Sequence, residues 1–213
     1  MTSPWTVVAL FAGAYLCGSI PFGRLIGLAR GVDIRTLGSG NLGATNVYRS
    51  LGPGLGILTL LLDIAKGALP VWLLPQAGFA AAFPGGPEWC RLAVGFAAVA
   101  GHVWTFLAGF KGGKGVATTV GVLLALAPAA FGVFGLVFLL VVALTRFISL
   151  GSTLGAAAFA VALAFLAPGG LRSPTFLLGL LLALLVVLRH RDNFRRLLRG
   201  EERRFSFRGG RTS

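Results

Sequence analysis

Long uninterrupted apolar runs alternate with short polar segments along this chain. The runs are continuous, without a polar residue at every second position, so they predict helices. Their length predicts membrane spans, because lipid offers the backbone no hydrogen-bond partner outside a helix or closed barrel. The first run covers residues 5–29 and contains Ser19-Ile20-Pro21. Proline removes a backbone donor, so a kink is predicted there, with Ser19 placed to help satisfy the freed carbonyls. A second span is expected from Pro53, at home in a first helical turn, to about residue 74. Residues 76–88, rich in Gly, Pro and Ala, predict an external loop, and residues 89–108 a third span with His102 near its inner end. Residues 116–145 are too long for one crossing, and Pro128 divides them. The first part has about a dozen residues, fewer than the roughly 17 a crossing needs, and reads as a tilted or partly buried helix. Residues 148–167 and 174–188 complete the spans, with an external turn at 168–173 between them and a basic tail after them.

This reading is an all-α integral membrane protein: a seven-helix bundle forming a single polytopic domain over 1–213, N-terminus outside and C-terminus cytoplasmic. Positive-inside counting supports it. Of 19 Lys and Arg, Arg91 and Arg172 fall outside and Lys66 lies within a span. Loops 31–52 and 109–117, Arg146 and the tail 189–213 then share the cytoplasmic face. The opening MTSPW lacks a basic stretch, so the first span is expected to be retained as a helix.

Composition agrees with a membrane protein. Of 213 residues 56% are hydrophobic and 12% charged, with mean hydropathy +0.86, against about 25% charged in soluble domains. The formal net charge of +13 would raise nucleic acid in a soluble protein. Here it sits at helix ends and in the tail, where topology and anionic membrane lipid account for it. Cys17 and Cys90 form no redox or metal motif and read as packing residues without a disulfide. Asp63 and Lys66, three apart on one helix face, read first as a self-neutralising structural pair.

The chemistry concentrates in two polar loops. Residues 33–49, DIRTLGSGNLGATNVYR, interleave Gly38, Gly40 and Gly43 with Ser39, Asn41, Thr45 and Asn46, flanked by Arg35 and Arg49. Glycines let backbone N–H groups approach an anion, and arginine offers a planar fork. Residues 110–119, FKGGKGVATT, have the same character, with Lys111 and Lys114 beside Gly112, Gly113 and Gly115 at a helix start. GSGNLG at 38–43 follows no β-strand, so a dinucleotide site is rejected. GFKGGK at 109–114 is one residue short of a P-loop, and Gly115 stands where a magnesium-holding hydroxyl belongs. No metal cluster and no familiar acid–base pair is visible: His102 has no acidic residue nearby in sequence, and Asp192 lies two positions from His190. An enzyme of this kind takes a substrate that is already activated, positions it and stabilises charge. A transporter or a noncatalytic lipid-binding scaffold are the alternative classes. The lack of an internal repeat weighs against the first, and the two loops weigh against the second.

Several long motifs in order, GSIPFGRLIG from Gly18, the 33–49 run, LDIAKG from Leu62, GHVWTFLAGFKGGKGVAT from Gly101, SLGS from Ser149 and RHRDNFRRLLRGEE from Arg189, resemble the bacterial membrane acylphosphate:glycerol-3-phosphate acyltransferases over nearly the whole chain. The resemblance implies acyl transfer from acyl phosphate to the sn-1 hydroxyl of glycerol 3-phosphate, giving lysophosphatidic acid and phosphate in the bacterial cytoplasmic membrane. It implies no cofactor, no metal and no nucleic acid. By motif position, Ser39, Arg49, His190 and Asn193 would be catalytic, and Asn41, Thr45 and Asn46 would line the pocket. Lys111, Gly112, Gly113, Lys114 and Gly115 would hold the phosphate of glycerol 3-phosphate. Glu201 or Glu202 would hold the tail's structure. A monomer is expected, with membrane lipids and a peripheral acylphosphate-producing enzyme as candidate partners.

Overall fold

The computed structural model describes residues 4–74 and 83–206. Among the described residues it contains ten α-helices and no strand: α1 (Pro4–Ser19), α2 (Phe22–Ala29), α3 (Ala44–Leu51), α4 (Pro53–Leu73), α5 (Gly86–Val103), α6 (Val116–Leu126), α7 (Pro128–Thr145), α8 (Ile148–Leu166), α9 (Pro174–Arg189) and α10 (Arg191–Leu198). Four segments are long and apolar enough to cross a bilayer: α4, α5 extended to Ala108, α7 and α8. The count is six if the bent pairs α1/α2 (40°) and α9/α10 (50°) are each one span. Helix α6 has 11 residues, about 16 Å of rise against a hydrocarbon core of about 30 Å, so it cannot cross unaided. Most of the external loop expected at 76–88 lies outside the described residues, as does the tail beyond residue 206. Two segments expected as loop and tail are helical in part, α3 within 31–52 and α10 within 189–213.

The chain forms two compact units, one within Met1–Ala125 and one within Leu126–Phe207. In the first, α5 is the central element. It buries 61% of its apolar window, against 17% for α7 in the second unit, whose leucines Leu136, Leu139, Leu140 and Leu144 face outward. Helix α1 crosses α5 backbone to backbone: a Cβ at Gly18 would meet Ala98 O, and one at Gly101 would meet Tyr15 O. Without a hydrophobic drive between helices in lipid, such close approach supplies the association.

The predicted kink is present between Ser19 and Phe22. Its carbonyls are satisfied differently from the expectation. Ser19 turns its hydroxyl to Gly101 O on α5 (3.3 Å), and its own carbonyl accepts from Thr105 Oγ1 (2.5 Å). The Ile20 carbonyl accepts from Lys66 Nζ of α4 at 2.7 Å. The same ammonium lies 2.7 Å from Asp63 Oδ1, with both side chains almost fully buried, and 5.5 Å from the Phe22 ring centroid. The pair is therefore self-neutralising, and it also ties the broken first span to α4.

In the second unit, α7 and α8 pack as an antiparallel hairpin through a sharp corner at Arg146-Phe147. The segment after α10 docks on that corner. Phe205 N donates to Arg146 O (2.7 Å), and Arg204 lies over the Phe147 ring. Glu202 anchors it: Oε1 accepts from Ser149 Oγ (2.7 Å) and Asn193 Nδ2 (2.6 Å), and Oε2 from Arg196 Nε (2.8 Å). Glu201 is exposed, so Glu202 is the residue that holds the tail. Burial alone would push the Glu202 carboxyl up; the hydrogen bonds from Asn193, Ser149 and Arg196 outweigh it and hold it below its ordinary value of 4.5.

Two outcomes follow. Lys66→Met leaves the Asp63 charge buried and unpaired and removes the shorter of the two donors to the Ile20 carbonyl, the other being Phe22 N at 3.1 Å, and should cost about 3–5 kcal/mol. Asp63→Asn combined with Lys66→Met should cost less than Lys66→Met alone, as read by thermal unfolding in detergent. For the tail, a depressed folded pKa means that the Glu202 anchor is at full strength above 4.5 and is lost as pH falls through the depressed value. Hydrogen exchange at the Phe205 amide, corrected for its intrinsic pH dependence, should therefore lose protection in Glu202→Ala at neutral pH and in the wild type only in acid.

Candidate active site

The first loop folds through local polar contacts. Asp33 opens a 3₁₀ turn at Ile34–Thr36, accepting from Arg35 N (3.0 Å) and from the Arg35 guanidinium through both carboxylate oxygens. Those hydrogen bonds hold the Asp33 carboxyl down to about 2. Arg35 is thereby committed to Asp33 and does not offer the planar fork that its place beside the glycines suggested. Arg24 Nε stands 3.6 Å from the same carboxylate, and its Nη1 donates to Leu107 O (3.0 Å) in the second loop's lead-in.

Asn46, on the buried face of α3, holds the rest of the loop. Its Oδ1 accepts from Ser39 N (2.9 Å), and its Nδ2 faces Ile34 O, Leu37 O and Asn41 O at 3.0–3.2 Å. Asn46 thus clips the loop shut, a duty the sequence reading, which set it on the substrate, did not include. Asn41 Oδ1 accepts from Gly43 N (2.9 Å), closing a turn that delivers Gly43 as the cap of α3. Ser39 is exposed between Gly38 (φ +58°) and Gly40 (φ +68°). Both glycines take a left-handed conformation that a side chain would strain, and a Cβ at Gly38 would also strike Asn46 Oδ1. Thr45 lies in the first turn of α3 and Arg49 in its last, both half-buried.

The second loop leaves α5 through a 3₁₀ turn at Phe106–Ala108 and reaches α6. Its glycine amides turn inward. Gly112 N donates to Val103 O (3.1 Å) and Gly113 N to His102 O (3.2 Å). These two amides therefore satisfy the end of α5, where the sequence reading had them on a phosphate. The groups suited to an anion here are the cations of exposed Lys111 and half-buried Lys114, and the first turn of α6, whose N–H groups have no carbonyl within the helix. Gly115 (φ +82°) makes the bend into that helix.

The two loops meet. Ile34, Leu42 and Val47 of the first share one buried apolar cluster with Ala108 of the second. Leu42 and Gly113 also line one small cavity with Ser19, Asp63, Lys66 and His102. Within the first unit the structure therefore packs the loop that carries Ser39, Asn41, Thr45, Asn46 and Arg49 against the segment that leads into residues 111–115. It also supplies a neighbour that no local spacing reveals: Asp63 Oδ1 stands 3.7 Å from His102 Nδ1, across two helices. In the second unit, His190 is buried at the α9/α10 bend. Its Nδ1 lies 2.7 Å from Val186 O, so Nδ1–H donates and the proton of the neutral ring is fixed there. Asn193 spends its amide on Glu202.

Known proteins match this chain along nearly its whole length. The sequence model for glycerol-3-phosphate acyltransferase matches residues 8–200. A glycerol-3-phosphate acyltransferase of Geobacter sulfurreducens is 49% identical over 197 residues, 92% of this chain and 96% of the relative. One of Desulforudis audaxviator is 47% identical over 207 residues, 97% and 99% of the two chains. Among solved structures, the integral membrane glycerol 3-phosphate acyltransferase PlsY (YgiH) in its glycerol 3-phosphate form superposes with TM-score 0.84 at 37% identity, covering 94% of this chain and 96% of that one. Its lysophosphatidic acid form gives 0.80 at 36% identity, covering 95% and 97%. A chain matched along nearly its whole length by sequence and by helical membrane-protein structure belongs to the glycerol-3-phosphate acyltransferase family of integral membrane proteins.

Proposed function

We propose that this protein transfers a fatty acyl group from acyl phosphate to the sn-1 hydroxyl of glycerol 3-phosphate, giving lysophosphatidic acid and inorganic phosphate. The observation that carries the reading is the meeting of two glycine-bearing polar loops at one end of a membrane-embedded bundle, with exposed Ser39 on one and Lys111 and Lys114 on the other. A related solved structure is described in a glycerol 3-phosphate form and another in a lysophosphatidic acid form, which fit acceptor and product. Both proposed substrates are phosphorylated, so a site for them needs cationic groups at two places. A mixed anhydride is already activated, which suits a first unit whose one His–Asp contact, between His102 and Asp63, is buried.

In this reaction the hydroxyl oxygen of glycerol 3-phosphate attacks the acyl carbon. The carbon–oxygen bond to phosphate breaks, and phosphate leaves with the bonding electrons. A phosphate oxygen of the donor takes the hydroxyl proton, with His190 the competing base. Lys114 and the first turn of α6 neutralise the acceptor's phosphate, while Ser39, Arg49, Asn41 and Thr45 orient the donor. The protein's contribution is position and electrostatic stabilisation. Asn193 is assigned to the reaction by motif position. The protein is proposed to span a bacterial cytoplasmic membrane seven times, N-terminus outside, with the short α6, partly buried within the bundle, as the fourth crossing and both loops cytoplasmic.

Purified protein in lipid, given palmitoyl phosphate and glycerol 3-phosphate, should release phosphate and lysophosphatidic acid in equal amounts, and none from palmitoyl-CoA. Ser39→Ala should lose about 10²–10³ in turnover, the scale of removing one stabilising donor, and Lys114→Ala should raise the KM for glycerol 3-phosphate, both while keeping the wild-type unfolding temperature. Near-normal turnover in His190→Ala would assign the proton to the donor phosphate. Absence of product from folded wild-type protein would overturn the reaction. For topology, a cysteine at Thr36 (Thr36→Cys) should react with an impermeant maleimide in inverted vesicles, and one at Leu171 (Leu171→Cys) in right-side-out vesicles. The reverse pattern would reject the orientation.

A further inference from the structure

The buried cluster beneath the second loop has no part in the reaction just described, yet the loop rests on it. His102 is 6% exposed and Asp63 and Lys66 less. Gly113 is packed so tightly over the His102 ring that a Cβ there would collide with Nε2 and come within 3.0 Å of Cε1 and 3.2 Å of Cδ2. The backbone of the same residue, His102 O, accepts the Gly113 amide at 3.2 Å. Gly113 is thus held by both the ring and the carbonyl of one side chain's residue. The ring's other nitrogen, Nδ1, stands 3.7 Å from Asp63 Oδ1, beyond hydrogen-bond length but close enough for charge to orient it. Asp63 is in turn fixed by Lys66 (2.7 Å), and Lys66 by the Ile20 carbonyl (2.7 Å). The void among these groups is about 10 Å³, the scale of a single water sphere. Neither phosphorylated substrate fits in that space, so these side chains are placed to act on the loop above them through Gly113.

We infer that His102, oriented by the Asp63–Lys66 pair, is a positioning residue for the acceptor: its ring sets the seat of Gly113 and thereby the place of Lys114 and the start of α6. The inference rests on the proposed reading that Lys114 and α6 take the phosphate of glycerol 3-phosphate. Its consequence is selective. Loss of the ring lets Gly113 sink and withdraws Lys114 from the acceptor phosphate, while the donor, held by the first loop, keeps its contacts. A lesion of this kind changes ground-state binding of one substrate and shows in that substrate's KM.

The test is a double-mutant cycle in steady-state kinetics with palmitoyl phosphate and glycerol 3-phosphate, using full-length protein in lipid. His102→Ala should raise KM for glycerol 3-phosphate by about tenfold or more and leave KM for palmitoyl phosphate within about twofold. Gly113→Ala should raise the same KM in the wild-type background. In His102→Ala it should add less than about twofold, because the ring it strikes is gone. Gly112→Ala is the internal control. Its Cβ would strike the His102 and Val103 carbonyls, which no side-chain deletion removes, so its effect should be undiminished in His102→Ala. His102→Asn carries the same cycle should the alanine variant not accumulate. Equal rises in both KM values, no rise in glycerol 3-phosphate KM, or a Gly113→Ala penalty as large without the ring as with it would each overturn the inference. Lys114→Ala separates the two levels. If it raises the acceptor KM while His102 variants do not, only the positioning role fails; if it leaves that KM unchanged, the phosphate assignment fails and the positioning role with it.

Discussion

The hydrogen bond from Lys66 to the Ile20 carbonyl is the contact on which the first unit depends. Pro21 ends the first apolar helix without a donor; it leaves the Ser19 carbonyl with no partner in its own helix and the Ile20 carbonyl with the Phe22 amide (3.1 Å) as its local donor. At membrane depth an unsatisfied carbonyl costs several kcal/mol. Two neighbouring elements resolve this, Thr105 taking Ser19 O and Lys66 taking Ile20 O. A break in one helix thus becomes a tie among three. The solution brings a charge with it, and Lys66 can stay buried because Asp63 lies one turn back on the same face. That placement in turn puts a carboxylate beside His102, directly under the second loop.

The glycine-rich loops show how backbone polar groups are shared between architecture and ligand. Read as sequence, GSGNLG and KGGKG look like rows of amides awaiting an anion. In the folded chain the amides of Ser39, Gly43, Gly112 and Gly113 are all used internally. Glycine is required at 112 and 113 because α5 approaches closer than a Cβ permits, and at 38 and 40 because the chain turns left-handed around Ser39. The groups suited to an anion are side chains and a helix start. The glycines serve the site by where they allow it to be.

The apolar pattern alone yields the helical membrane class, the break at residues 19–22, the division at Pro128 and the shortness of α6, because each follows from local chemistry: run length, a missing proline N–H, a count of residues. The motif resemblance, and not the apolar pattern, adds Glu202 or its neighbour as a tail anchor. Helices α3 and α10 are the misses in element type. Both are eight residues with two or more charged or amide side chains, too short and too polar for an apolar-run reading, though Val47 with Leu51 and Phe194 with Leu198 carry an i, i+4 trace. The Asp63–His102 approach, the Thr105 donor and the inward turn of the Gly112 and Gly113 amides come from helix packing across long sequence separations, and no local pattern encodes them.

Charge pairing explains why a site proposed for two phosphorylated substrates can carry carboxylates nearby. In the first unit Asp33 is bound by Arg35 with Arg24 beside it, and Asp63 by Lys66. Each acid close to the loops is thus matched by a cation of its own before any ligand arrives. Asp33 stays ionised far into acid, so its pairing with Arg35 persists across the physiological range. Neither acid then presents an unbalanced negative charge to a phosphate. A carboxylate left unmatched at either position would oppose the phosphate through the low-dielectric bundle, where charge acts over longer range than in water. The acids of the first unit can therefore hold the loops in place without weakening the attraction the loops are proposed to exert.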